Sequence, residues 1–88
     1  MRMERGSPLH EALRDLLLER RQRAKLTQRE LATKLGWDQS TVSKIESGAK
    51  RVSVAELIEL GLALDFDPPS AVRRVMRAIQ KSGEGGTE

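Results

Sequence analysis

Eighty-eight residues make one domain with a thin core, and a separate effector-binding domain is not expected beside it. Lys and Arg number 16 against 13 Asp and Glu, for a net charge of +3, a mildly basic balance that permits nucleic-acid binding without requiring it. With no cysteine, disulfides and thiolate metal sites are excluded, which fits a reducing cytoplasm, and no apolar run is long enough for a membrane span or a secretory signal.

Met1 to Gly6 is polar and charged and is expected to be flexible. Ser7-Pro8 then starts a helix, with Ser as the cap and Pro at the first helical position. Leu9, Leu13, Leu16 and Leu17 repeat at helical spacing with Ala12 beside them, and the helix is expected to run to about Arg23. Leu18 falls off this stripe and is placed to cover a second face. His10, the only histidine, has no second histidine or cysteine to converge with, so it is not read as a ligand or a catalyst.

A second helix opens at Thr27. Thr27 and Glu30 have the spacing of a capping box, in which the hydroxyl accepts from the Glu30 N–H and the carboxylate accepts from the Thr27 N–H. Leu26 and Leu31 flank it as a hydrophobic staple. Leu31 and Leu35 share a face, and the small Ala32 beside them lets another helix come close. Gly36 ends the helix, being free to take positive φ. Asp38 is read as the cap of a third helix, with Val42 and Ile45 turned inward and Gly48 as its stop. The outward face carries Gln39, Ser40, Ser43 and Lys44, with Thr41 at its edge. Trp37 is read as a core or half-buried wedge, in preference to a base-stacking role.

Gly48-Ala49-Lys50-Arg51 is a basic loop. Ser53 and Glu56 repeat the capping-box spacing, with Val52 and Leu57 as a staple, and a fourth helix is expected from about Val54 to Ala63. Its buried side is read as Leu57, Ile58, Leu60 and Leu64, and Gly61 within it costs about 1 kcal/mol against Ala, which a close helix crossing would explain. Pro68 cannot continue that helix, and Asp67 can cap the next. Phe66, the only Phe, is read as a core anchor. The fifth helix, about 69–81, shows Val72, Val75, Met76 and Ile79 at i, i+3, i+4 and i+7. The Gly-rich polar tail, 82–88, is expected to be disordered.

The run Thr27-Gln28-Arg29-Glu30-Leu31-Ala32, then Leu35-Gly36, then Gln39-Ser40-Thr41-Val42-Ser43-Lys44-Ile45-Glu46-Ser47-Gly48 resembles the helix-turn-helix of the phage-repressor family (Cro/CI, also called XRE). A looser match runs from about Leu9 to Leu64. Trp37 departs from the family pattern, which has a smaller apolar residue there. The resemblance implies an all-α fold, a compact five-helix lambda-repressor-like DNA-binding domain with the helix-turn-helix at about 28–47. It also implies a transcriptional regulator, a repressor, that inserts the helix 39–47 into the major groove of double-stranded DNA.

The chemistry of the outward face agrees with such a role. In the major groove every base pair shows a distinct set of donors and acceptors. Gln39 can pair with adenine N6 and N7, and Lys44 can donate to guanine O6 or N7. Ser40 and Ser43 suit base edges or phosphates. In the resembled family the positions of Gln39, Ser40 and Lys44 are frequent base readers, and the position of Gln28 commonly binds a phosphate at the helix N-terminus. Arg29, Thr41, Lys50 and Arg51 are further phosphate candidates. The family also implies an ion pair between Arg21 and Glu46. Such a pair would offset a carboxylate set unfavourably at a helix C-terminus.

One small module reads few bases, so a homodimer on a pseudo-palindromic operator is expected, with Val72, Val75, Met76 and Ile79 as its seam. Two alternatives remain open from the sequence. An antitoxin of this fold would bind DNA and a toxin protein, and an interaction module would keep the fold without binding DNA. An enzyme is disfavoured, since one histidine with no cysteine or tyrosine forms no evident nucleophile or metal constellation. No cofactor, metal or membrane partner is expected.

Overall fold

The computed structural model describes residues 7–87, with side chains through residue 80; the N-terminal segment 1–6 read as flexible lies outside the described residues. Five helices follow one another: α1 (Pro8–Arg23), α2 (Gln28–Leu35), α3 (Gln39–Ser47), α4 (Val54–Leu64) and α5 (Pro68–Thr87). There is no strand among the described residues.

The helix ends are set by local chemistry. Ser7 Oγ accepts from the His10 N–H at the start of α1. Thr27 Oγ1 accepts from the Glu30 N–H at 3.0 Å while Glu30 Oε1 accepts from the Thr27 N–H at 2.8 Å. Ser53 and Glu56 do the same for α4, at 3.1 and 2.9 Å. Gly36 and Gly48, at φ 76° and 88°, close α2 and α3 in the left-handed region that a Cβ disfavours. Asp38 differs from the expectation. It occupies the N-cap position of α3, but its side chain makes no capping bond; its carbonyl instead accepts from the Thr41 N–H at 3.0 Å. α5 runs as helix through Thr87, past the expected end near 81 and over most of the tail 82–88 read as disordered; the backbone ladder continues through Gly83, Gly85 and Gly86, where no proline removes an N–H.

The helices pack around one core. α1 lies against α5 and α3, α2 against α3 and α4, and α4 against α5. Leu16 and Leu17 of α1, Leu31 and Ala32 of α2, and Val42 and Ile45 of α3 are buried together. Leu57, Leu60 and Leu64 of α4 and Phe66, Ala71 and Val75 complete the core from the other side. The Arg20 guanidinium lies over the Phe66 ring, 5.7 Å from its centroid, so the core's only phenyl group also carries a cation–π contact. Gly61 marks a crossing as expected: a Cβ there would stand 2.8 Å from the Phe66 carbonyl and from Pro68 Cγ.

Three apolar positions fall differently from the periodic reading. Ile58 and Leu9 are about half exposed, because α4 and α1 each bury a narrower stripe than their apolar positions span. Val75, read as part of a dimer seam, is buried at 6% exposure and belongs to the monomer's own core. Among the α5 residues up to 80, Ala71 and Val75 are the buried ones; Val72 and Met76 stay 42% and 51% exposed, and Ile79 is half-buried.

Candidate nucleic-acid interface

α2 and α3 meet through Leu31, Ala32, Val42 and Ile45, with Trp37 filling the turn between them. Trp37 is half-buried, and its indole Nε1–H donates to Glu59 Oε1 on α4 at 3.0 Å. This ties the ring to α4. With the apolar side of α3 used up, Gln39, Ser40 and Lys44 are left exposed, while Thr41 and Ser43 are half-buried at the edges of that face. Among the described residues the Lys44 ammonium forms no ion pair.

The start of α2 lies beside the start of α3. Arg29 Nε approaches Gln39 Oε1 at 3.4 Å, so a phosphate candidate and a base-reading candidate adjoin. The backbone amides of Gln28 and Arg29 lie in the first turn of α2, where helix geometry leaves N–H groups without intrahelical partners.

One carboxylate ties three helices behind this face. Glu46 Oε2 accepts from Arg21 Nε at 2.6 Å, and its Oε1 accepts from Arg21 Nη2 at 3.0 Å and from Gln28 Nε2 at 2.8 Å. Arg21 Nη1 also donates to the Leu26 carbonyl at 2.8 Å, pinning the α1–α2 turn. The pair is largely withdrawn from solvent, at 14% and 9% exposure. A bidentate guanidinium thus neutralises a charge that would oppose both the α3 dipole and an approaching phosphate.

The basic loop divides into two parts. Lys50 Nζ donates to both Glu56 oxygens at 2.8 Å and to the Arg51 carbonyl at 3.0 Å. Lys50 therefore starts from an ion pair and would have to leave it to meet a phosphate. Arg51, the next residue of the loop, lies at the surface. The Lys50 ammonium, chiefly, and then the Ser53 backbone N–H hold the Glu56 carboxyl below the usual glutamate range.

Residue-by-residue reading of the sequence missed several of these contacts. The Trp37–Glu59, Gln28–Glu46 and Lys50–Glu56 bonds join residues at no helical period. The one available signal was that a capping-box glutamate has a second oxygen to offer, and Glu56 uses both.

A pair of helices crossing tightly at an alanine, with a polar outer face and amides at the adjoining N-terminus, defines a helix-turn-helix unit. The helix-turn-helix family model matches residues 17–70. An XRE-family-like protein from Pseudomonas syringae pv. tomato superposes with a TM-score of 0.75 at 38% identity, covering 80% of this chain and 85% of that one. An uncharacterised HTH-type transcriptional regulator of Sinorhizobium fredii, y4dL, is 35% identical over 60 residues, 68% of this chain. The chain spans only 31% of that regulator's length. The protein belongs to the XRE-type helix-turn-helix family, a non-enzymatic family of DNA-binding transcription regulators. No helix among the described residues is long and apolar enough to cross a membrane.

Proposed function

We propose that this chain is a sequence-specific, double-stranded-DNA-binding transcriptional repressor that acts in the cytoplasm as a homodimer. The observation that carries the reading is the state of α3. Its apolar side is buried in the core, while Gln39, Ser40 and Lys44 stand exposed next to the amides that open α2. A helix of this kind fits the major groove with its N-terminal residues at the base edges. Gln39 and Lys44 supply adenine- and guanine-directed groups, and Ser40 and Ser43 add shorter donors and acceptors. Gln28, Arg29, Thr41 and Arg51 border this face and fix register on the phosphates, with Lys50 behind them.

The dimer reading rests on Val72 and Met76, with half-buried Ile79 beside them. These leave an apolar flank of α5 uncovered next to Leu9, Leu13, Val52 and Leu57, so that a groove runs between α1, α4 and α5. A twofold copy seated there would present two recognition helices to a pseudo-palindrome, about 34 Å apart.

A second reading, an antitoxin that also holds a toxin protein, draws on α4. Val54 and Leu62 are 76% and 81% exposed, with half-exposed Ile58 between them at the same helical spacing, an apolar row that DNA reading does not use.

The test is selection of bound duplexes from a random pool at about 150 mM salt, where nonspecific electrostatic binding is weakened. The expected result is a two-half motif with its halves about one helical turn apart. A single half-site keeps the reading of DNA but removes the dimer. Retention that collapses in salt with no enriched motif removes the repressor reading.

A further inference from the structure

A guanidinium outside the helix-turn-helix is left over. Arg14 of α1 is half-buried, yet among the described residues it has neither a hydrogen-bond nor an ion-pair partner. It lies against the C-terminus of α3, where a Cβ on Gly48 would collide with Arg14 Nη1. Gly48 is fixed by its φ of 88°, and the Arg14 guanidinium rests on it as the far end of a flexible side chain. The carbonyl groups that end α3 do not use this guanidinium. The Lys44 carbonyl accepts from the Ala49 and Lys50 N–H groups at 2.8 and 3.1 Å and from Ser47 Oγ at 3.2 Å, and the Ile45 carbonyl accepts from the Gly48 N–H at 3.2 Å.

We propose that Arg14 is a further DNA-backbone contact, binding one phosphate at the C-terminal end of the recognition helix. The inference rests on the DNA-binding reading above. Arg14 lines a small recess of about 30 Å³ together with His10, Gly48, Lys50 and Arg51. Lys50 is matched there by Glu56, so the positive charge of Arg14 is not offset by a carboxylate of the recess lining, which also includes Arg51. A half-desolvated guanidinium with five donors and no acceptor gains most from an anion that presents two acceptor oxygens side by side, which a phosphodiester offers. The recess opens at the α3–α4 loop. A duplex whose groove holds α3 runs its backbone past that loop, so the anion at hand is a phosphate beyond the bases read by Gln39 and Lys44. The contact would add affinity without sequence preference.

The experiment measures affinity for the selected duplex against salt, for the wild type, Arg14→Gln and Arg14→Lys. A protein that neutralises one phosphate fewer has a log–log salt slope shallower by about 0.9, so between 50 and 200 mM its affinity falls about 3.5-fold less than the wild type's. Arg14→Gln is expected to show that change on every sequence, and Arg14→Lys to restore the wild-type slope. Replacing the single flanking phosphate by a neutral methylphosphonate is expected to erase the difference between wild type and Arg14→Gln. An unchanged slope in Arg14→Gln overturns the proposal, even where its melting temperature falls, because that pattern belongs to a side chain that only buttresses α3. A wild type that retains no duplex even at low salt overturns the DNA reading and this contact with it, an outcome distinct from an unchanged slope on bound DNA.

Discussion

The α2–α3 pair and α5 are both amphipathic, but they finish their apolar surfaces in different ways. α2 and α3 place Leu31, Ala32, Val42 and Ile45 wholly inside the monomer, and each ends on a glycine at positive φ. What they expose is polar. α5 is the longest helix among the described residues, yet up to residue 80 it buries only Ala71 and Val75 and leaves Val72 and Met76 open to solvent. Its N-terminus is capped by Asp67 Oδ2, which accepts from the Ser70 N–H at 3.2 Å and from Ser70 Oγ at 2.7 Å. On the proposed function, the difference separates a surface that must stay rigid to read bases from one whose packing is completed by a second copy.

The largest expected effect strikes the rigid half. Glu46→Ala strands the Arg21 guanidinium and the Gln28 amide, and is expected to cost about 3–5 kcal/mol of stability in denaturant melts. Arg21→Met with Glu46→Leu should cost less than Glu46→Ala alone, and simple additivity would rule out the coupling. Leu31→Ala, at a side chain 2% exposed, is expected to cost about 2–5 kcal/mol. Lys44→Ala should leave the fold intact and weaken the preferred site by about 1–3 kcal/mol while relaxing one base position; equal weakening on every sequence would recast Lys44 as a phosphate ligand. On α5, Met76→Glu is expected to change monomer stability by less than about 0.5 kcal/mol. Sedimentation at tens of micromolar should nevertheless shift from dimer to monomer, and a wild type that is already monomeric would end the contrast. The smallest effect is on pH. The Glu56 carboxyl titrates lower folded than unfolded, so its contribution is full above the ordinary glutamate range and is lost as pH falls through its lowered value. Glu56→Gln should lower the melting temperature near neutrality and converge with wild type in acid.

What could be read from the sequence follows the range of the interaction. Thr27 with Glu30, and Ser53 with Glu56, act within one helical turn, so residue types at fixed spacing define both helix starts. Gly36, Gly48 and the crossing at Gly61 were legible for the same reason, since each is a backbone demand met by one residue. The choice between core and flank was not. Val75 and Met76 are neighbours in one stripe, and only the direction of approach of α1 decides that the first is buried and the second is not. Ile58 fits the helical period as well as Leu57 does, but α4 turns it out beyond its packed side. Contacts at long sequence separation were out of reach from periodicity: Trp37 with Glu59, and Arg14 with Gly48. The pairing of Arg21 with Glu46 was available only through family resemblance.

The missing side chain at Gly61 has a consequence far from its own turn. Because the Phe66 carbonyl and Pro68 close to within 2.8 Å of where a Cβ would be, that corner sets the angle at which α5 leaves α4. A helix of twenty residues is a lever about 30 Å long. Opening its base by about 10° to admit an alanine methyl would swing the far end by about 5 Å on that geometry. In the proposed dimer, a single hydrogen atom at the corner of each subunit therefore gauges the distance between two recognition helices, and so the number of base pairs between the half-sites they can read together.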